Sequence, residues 1–154
     1  MYGLAIGINI RLLVLEVCQI LGNGSNNTAH LLLLETIAVE TGMGTIVDNT
    51  PSVGMGLCQF DKIGFDDVKE RTSLRNKEKI YEHFGIDIDL VSFNDLRYNP
   101  LISVIFCRLK YILVPSAIPD TIQGRAFYWK RWYNSYAGKG SPEHYLKMNE
   151  VYEA

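Results

Sequence analysis

A chain of 154 residues with 47% hydrophobic and 21% charged content can bury one ordinary core, is too short for two comfortable domains, and is not disordered in composition. A formal net charge of −2 lacks the basic excess of a general nucleic-acid binder. Cys18, Cys58 and Cys107 lie far apart and His30, His83 and His144 stand alone, so no metal site is expected and the thiols read as small buried apolar groups.

Residues 1–10 are apolar but lack a basic leading segment and a small-residue cleavage site. The run from Ile10 to Leu21 is interrupted by Arg11, Glu16 and Gln19 and reads as a core helix closed by Gly22, not as a signal peptide or a membrane span. The expectation is therefore a protein without stable membrane insertion, held in the cytoplasm until something else releases it. Residues 22–27, Gly-Asn-Gly-Ser-Asn-Asn, form a loop rich in capping residues. Thr28 to about Glu40, with leucine at each position from Leu31 to Leu34, is apolar nearly all round, the signature of a central buried helix.

Residues 41–58 hold four glycines and Pro51 and predict a long loop, a feature that is often functional in a compact domain. Asp66–Arg71 and Leu74–Phe84 predict short surface helices, the second closed by Gly85. Ile86–Val91 alternates apolar and acidic residues, which fits a short strand or an irregular link. Pro100–Leu113 predicts a second apolar helix ended by Pro115, Asp120–Tyr133 a third that is rich in aromatics, and Ser141-Pro142-Glu143 the cap and first turn of a last one. With no repeat and no domain boundary, the fold class expected is all-α, a single domain over residues 1–154 with at most a very small β element near 41–63 or 86–91.

Among the acids, Glu40 stands out on physical grounds. It follows Ile37 by three positions and Leu33 by seven, so it shares their apolar face, whereas Glu35 points elsewhere. It also sits at the helix C-terminus, just before Gly42, where the macrodipole disfavours negative charge. Desolvation and dipole act together to keep the proton on near neutral pH, the property a glycosidase general acid needs. The bland alternative is a carboxylate that reaches water at the helix end.

Glu40-Thr41, followed after the glycine-rich loop by Gly54-Met55-Gly56-Leu57-Cys58-Gln59, resembles the soluble lytic transglycosylases and goose-type lysozymes, in which a Glu-Ser pair precedes a Gly-Leu-Met-Gln segment. Thr41 stands for the usual serine and Cys58 for the usual methionine. Asn99-Pro100 leading through Ile105 to Tyr111-Ile112-Leu113 looks like the family's Asn-Ile…Tyr-Leu helix, and residues 133–138, Tyr-Asn-Ser-Tyr-Ala-Gly, look like its Tyr-Asn-Ala-Gly block with two residues inserted.

The resemblance implies a lysozyme-like catalytic domain acting on the glycan strands of peptidoglycan, at the β-1,4 bond between N-acetylmuramic acid and N-acetylglucosamine. Glu40 would be the acid and then the base, giving 1,6-anhydromuramic ends. Thr41, Gly56, Leu57, Gln59, Tyr111, Tyr133 and Asn134 would bind substrate, with Tyr111 or Tyr133 holding Glu40 through a phenolic hydrogen bond. The aromatic cluster Phe127, Tyr128, Trp129, Trp132, Tyr133 and Tyr136 would stack on sugars or fill the core. Asp61, in the Gln59-Phe60-Asp61-Lys62 segment, resembles the water-positioning aspartate of goose-type lysozyme and opens a hydrolytic alternative; otherwise it caps the next helix. Asp48 is a weaker candidate. No metal or cofactor is implied. The context suggested is a phage or prophage endolysin or a virion-associated wall-cutting enzyme, and the non-catalytic rival is a helical glycan-binding or structural module.

Overall fold

The computed structural model describes residues 9–45, 54–134 and 140–152. Within them the chain is all-α, built from eight α-helices: α1 (Ile10–Leu21), α2 (Ala29–Thr41), α3 (Lys62–Arg71), α4 (Leu74–Phe84), α5 (Asp95–Tyr98), α6 (Pro100–Ile112), α7 (Ile122–Trp129) and α8 (Pro142–Val151). A 3-10 turn at Ile88–Leu90 precedes α5, and a π-type turn at Lys130–Asn134 continues α7.

The helix starts are set by local chemistry. Asn9, Asp61, Ser73, Asn99, Thr121 and Ser141 each accept a hydrogen bond from a backbone N–H in the first turn of the helix that follows, satisfying a donor with no partner inside the helix. Proline at the first position of α6 and α8 has no N–H to satisfy and is already at a helical φ. The Asp61 cap starts α3 four residues before the predicted Asp66, and the Thr121 cap starts α7 two residues after the predicted Asp120.

The two apolar helices form the centre. Leu32, Leu33, Leu34, Ile37 and Ala38 of α2 and Val104, Ile105, Phe106 and Cys107 of α6 are buried. Helix α2 packs against α1, α6 and α8, and α6 packs against α1, α3, α5 and the π-type turn. A helix covered on three sides has no polar face to spare, which is why α2 shows no amphipathic stripe. The three cysteines are buried and unpaired.

No strand occurs among the described residues, and the β element is a single antiparallel bridge between Met55 and Phe60. Ile86–Val91 forms the 3-10 turn, not a strand: Asp87 accepts from Asp89 N at 3.0 Å, an Asx turn that bends the chain where a strand would run straight. No described helix is long and apolar enough to cross a membrane.

Candidate active site

Helix α2 ends in a left-handed cap. Gly42 adopts a left-handed φ of 54° and its N–H reaches Ala38 O at 2.9 Å, while Met43 N reaches Ile37 O at 3.3 Å. Glu40 therefore lies in the last turn, half-buried, beside carbonyls that carry the negative end of the helix. Its neighbour Thr41 is buried: the hydroxyl sits 2.8 Å from Leu57 O and 3.2 Å from Ile37 O and accepts from Gly44 N at 3.1 Å. Thr41 ties the next segment onto the end of α2 and is not placed to touch a ligand.

That segment, Gly54 to Asp61, is a minute hairpin. Met55 N donates to Phe60 O at 2.8 Å, Phe60 N returns a bond to Met55 O at 3.1 Å, and Gln59 N closes the turn on Gly56 O at 3.1 Å. Leu57 and Cys58 point into the core. Gly56 has a φ of 79°, and a Cβ there would collide with the backbone oxygen of Leu96 and come within 2.7 Å of Ser103 Oγ. Both demands require glycine. Gly56→Ala is expected to destabilise the fold by about 3 kcal/mol or more, read as a lowered denaturant midpoint; an unchanged midpoint would mean that the hairpin is not seated this way.

Gln59 also has a positive φ, 50°, and its Nε2 donates to Gly56 O at 3.0 Å, so the side chain folds back on its own turn. A left-handed non-glycine residue stores strain, a condition met often at sites of function.

Behind the hairpin stands an aromatic wall. Tyr133 donates to Cys58 O at 2.7 Å, and Tyr111 and Thr36 Oγ1 share a bond of 2.8 Å. The two tyrosine rings stack at 5.1 Å, and Phe60 meets both Tyr133 and Phe106 edge-on at 6.0 Å. Both phenols are thus committed elsewhere, and the expectation that one of them holds Glu40 by a hydrogen bond is corrected. They lie close enough that the Glu40 charge still pushes their titration up, after the larger effect of burial. Tyr133 reaches the wall from the π-type turn that continues α7.

Two acids of α2 have opposite fates. Glu35 is matched: Arg125 Nε and Nη2 reach its two oxygens at 2.7 and 2.8 Å, and Tyr145 donates to it at 2.7 Å. Glu40 has no hydrogen-bond or ion-pair partner among the described residues. Burial raises its pKa from 4.5 to about 8, and the Lys110 cation opposes that rise without cancelling it.

Asp61 caps α3, accepting from Gly64 N at 2.6 Å, with its side chain open to water. Its direction is set by the extended φ of −86° and ψ of 164° and by that cap. The Asn134 Oδ1 accepts from Lys130 Nζ at 2.8 Å. Of the aromatic cluster, Tyr128, Trp129 and Tyr133 are buried, Phe127 is exposed, and Trp132 is half-buried under the Arg131 guanidinium. Asp48 and residues 135–138, with Tyr136, lie outside the described residues.

Sequence reasoning missed Lys110. It reads as a basic residue in the last turn of α6, a common favourable placement against the dipole. In the fold its ammonium lies 4.3 Å from the Tyr133 ring centre and 5.3 Å from that of Phe60, and its charge acts on Glu40. The signal available was a second basic residue, after Arg108, in an otherwise largely apolar run.

The arrangement is a proton-bearing carboxyl on a rigid helix end, flanked by a strained hairpin and one ammonium. It can deliver a proton to an oxygen brought alongside and take one back. No protein-family model, curated protein or solved structure matches the chain.

Proposed function

We propose that the chain cleaves the glycan strands of peptidoglycan at the β-1,4 bond between N-acetylmuramic acid and N-acetylglucosamine, with Glu40 as general acid and then general base. The observation that carries this reading is Glu40 itself: a half-buried carboxyl on a helix end, unpartnered among the described residues, with its pKa raised to about 8. Structural carboxylates of this fold look different, as the fully paired Glu35 does. The order of Glu40-Thr41, the Gly56–Gln59 turn and Tyr133 along the chain supports the same reading.

In this reaction the bond between the muramic anomeric carbon and the glucosamine O4 breaks, its electron pair leaves with O4, and the Glu40 proton goes to that oxygen. The acetamido group of the muramic residue holds the anomeric carbon meanwhile, in place of a second carboxylate. The Glu40 carboxylate then takes the proton of the 6-hydroxyl as that oxygen attacks the anomeric carbon, which leaves a 1,6-anhydro end and a protonated Glu40. Asp61 caps α3 through one carboxylate oxygen and leaves the other open to water, so the second reading is a hydrolytic route in which Asp61 holds the attacking water.

The test is release of soluble glycan from purified insoluble sacculi across a pH series. A general acid must be protonated in the free enzyme, so kcat/KM is expected to hold on the neutral side and fall as pH rises through about 8. Sacculi that stay intact at every pH would overturn the proposal.

A further inference from the structure

Glu40 lies one turn beyond Thr36 on α2, the Thr36 hydroxyl meets Tyr111 at 2.8 Å, and Tyr111 stacks on Tyr133, the ring that carries Lys110, a cation the proposed reaction does not use. The Lys110 ammonium is clasped by ring faces, 4.3 Å from Tyr133 and 5.3 Å from Phe60, and makes one long hydrogen bond, 3.4 Å to Tyr133 O. Both rings are buried, and each is fixed by contacts of its own: Tyr133 by its bond to Cys58 O and Phe60 by the hairpin bridge. The cation is therefore held in place by these rings and, among the described residues, closes no ion pair with a carboxylate. A lysine stem laid along aromatic faces gains the cation–π attraction while its head keeps donors to spare.

We propose that Lys110 is a positioning residue for Glu40: its ammonium, seated on the Tyr133 and Phe60 rings, stabilises the carboxylate that Glu40 becomes once its proton is given away, and so lets one side chain serve as acid and then as base. The inference rests on the glycan-cleavage reading. The charge balance around the pair supports it. Burial lowers the pKa of Lys110, while Asp61 at the head of α3, Cys107 on α6, Glu40 on α2 and Asp67 within α3 act to keep it charged. Facing Glu40 are Cys58 of the hairpin, Tyr111 of α6 and Tyr133 of the π-type turn, all neutral near pH 7 because burial raises each of them. Among the described residues, Lys110 is the cation whose charge acts on Glu40. An ammonium fixed in advance costs no reorganisation when the negative charge arrives, which is the condition under which electrostatic stabilisation is largest.

The experiment compares the full chain with Lys110→Met and Lys110→Arg. Glycan release from sacculi is followed against pH, and thermal unfolding against pH is measured in parallel to follow the Glu40 titration without activity. Lys110→Met is expected to move the basic limb of kcat/KM upward by about one pH unit and to lower kcat at an unchanged KM. Unfolding should show the same upward displacement, and Lys110→Arg should keep both near the parent. An active parent whose basic limb stays in place in Lys110→Met overturns the role of Lys110 alone. If Lys110→Met unfolds, a Lys110→Arg limb displaced as far as a lost charge would displace it overturns the role equally. Failure of the parent to release glycan overturns the reading beneath it instead.

Discussion

Glu40→Gln is expected to lower glycan release by about 10²–10⁴-fold and, in the same molecule, to raise stability at alkaline pH. The two effects share one cause. The carboxyl is removed from water at a helix C-terminus, where both surroundings and dipole resist a negative charge. Its folded-state pKa of about 8 stands above the ordinary 4.5. Below 4.5 the group is protonated folded and unfolded, and it contributes no penalty. As pH rises toward 8 the unfolded chain ionises first, so stability is progressively lost, and above 8 the loss is complete. Glutamine keeps the shape and never ionises. At about 1.4 kcal/mol per pKa unit, reduced because the side chain is not fully enclosed, Glu40→Gln should gain roughly 2–4 kcal/mol at pH 8 and close to nothing at pH 4. Thermal melts at the two pH values check this. A variant that melts lower at pH 8 would show that Glu40 is a paired structural acid.

The second large effect falls on stability alone. Glu35→Gln leaves Arg125, buried with only 5% of its surface exposed, facing a neutral amide where it had a two-point carboxylate partner. An uncompensated buried charge costs about 3–5 kcal/mol, and Tyr145 loses a charged acceptor as well. For a chain of this size, that is a fall in Tm of roughly 10 °C. Glycan release per folded molecule should be unchanged below the melting range. Replacing Arg125 with Met should cost a similar amount, since it strands Glu35 in turn. An inactive but stable Glu35→Gln would exchange the roles of the two acids.

Much of the fold was legible because its signals are local. The start of α1 and both ends of α4 follow from capping side chains and from Gly85, and the ends of α2 and α6 came within one residue of expectation. What stayed open locally was chemistry with two outcomes. The alternation over Ile86–Val91 fits a strand until Asp87 bonds the backbone two residues on, and α5 is too short to carry a period.

The raised titration of Glu40 was legible in the sequence, and its surroundings were less so. Glu40 announces itself by sharing a face with Ile37 and Leu33, a statement about one helix. The directions of Tyr111, Tyr133 and Thr41 depend on which distant group each hydroxyl finds: Thr36, Cys58 O and Leu57 O, respectively. No spacing rule selects those partners. The same holds for Lys110, whose place over Tyr133 needs both α6 and the π-type turn. The ion pair of Glu35 and Arg125 joins residues 90 positions apart and has no local trace.

The most direct measurement is mass spectrometry of the muropeptides released from purified sacculi by the protein and by Glu40→Gln. The account predicts fragments ending in 1,6-anhydromuramic acid, lighter by one water than hydrolysed ends, from the protein, and none above background from Glu40→Gln. Fragments cut only within the peptides, or the same glycan ends from Glu40→Gln, would contradict it.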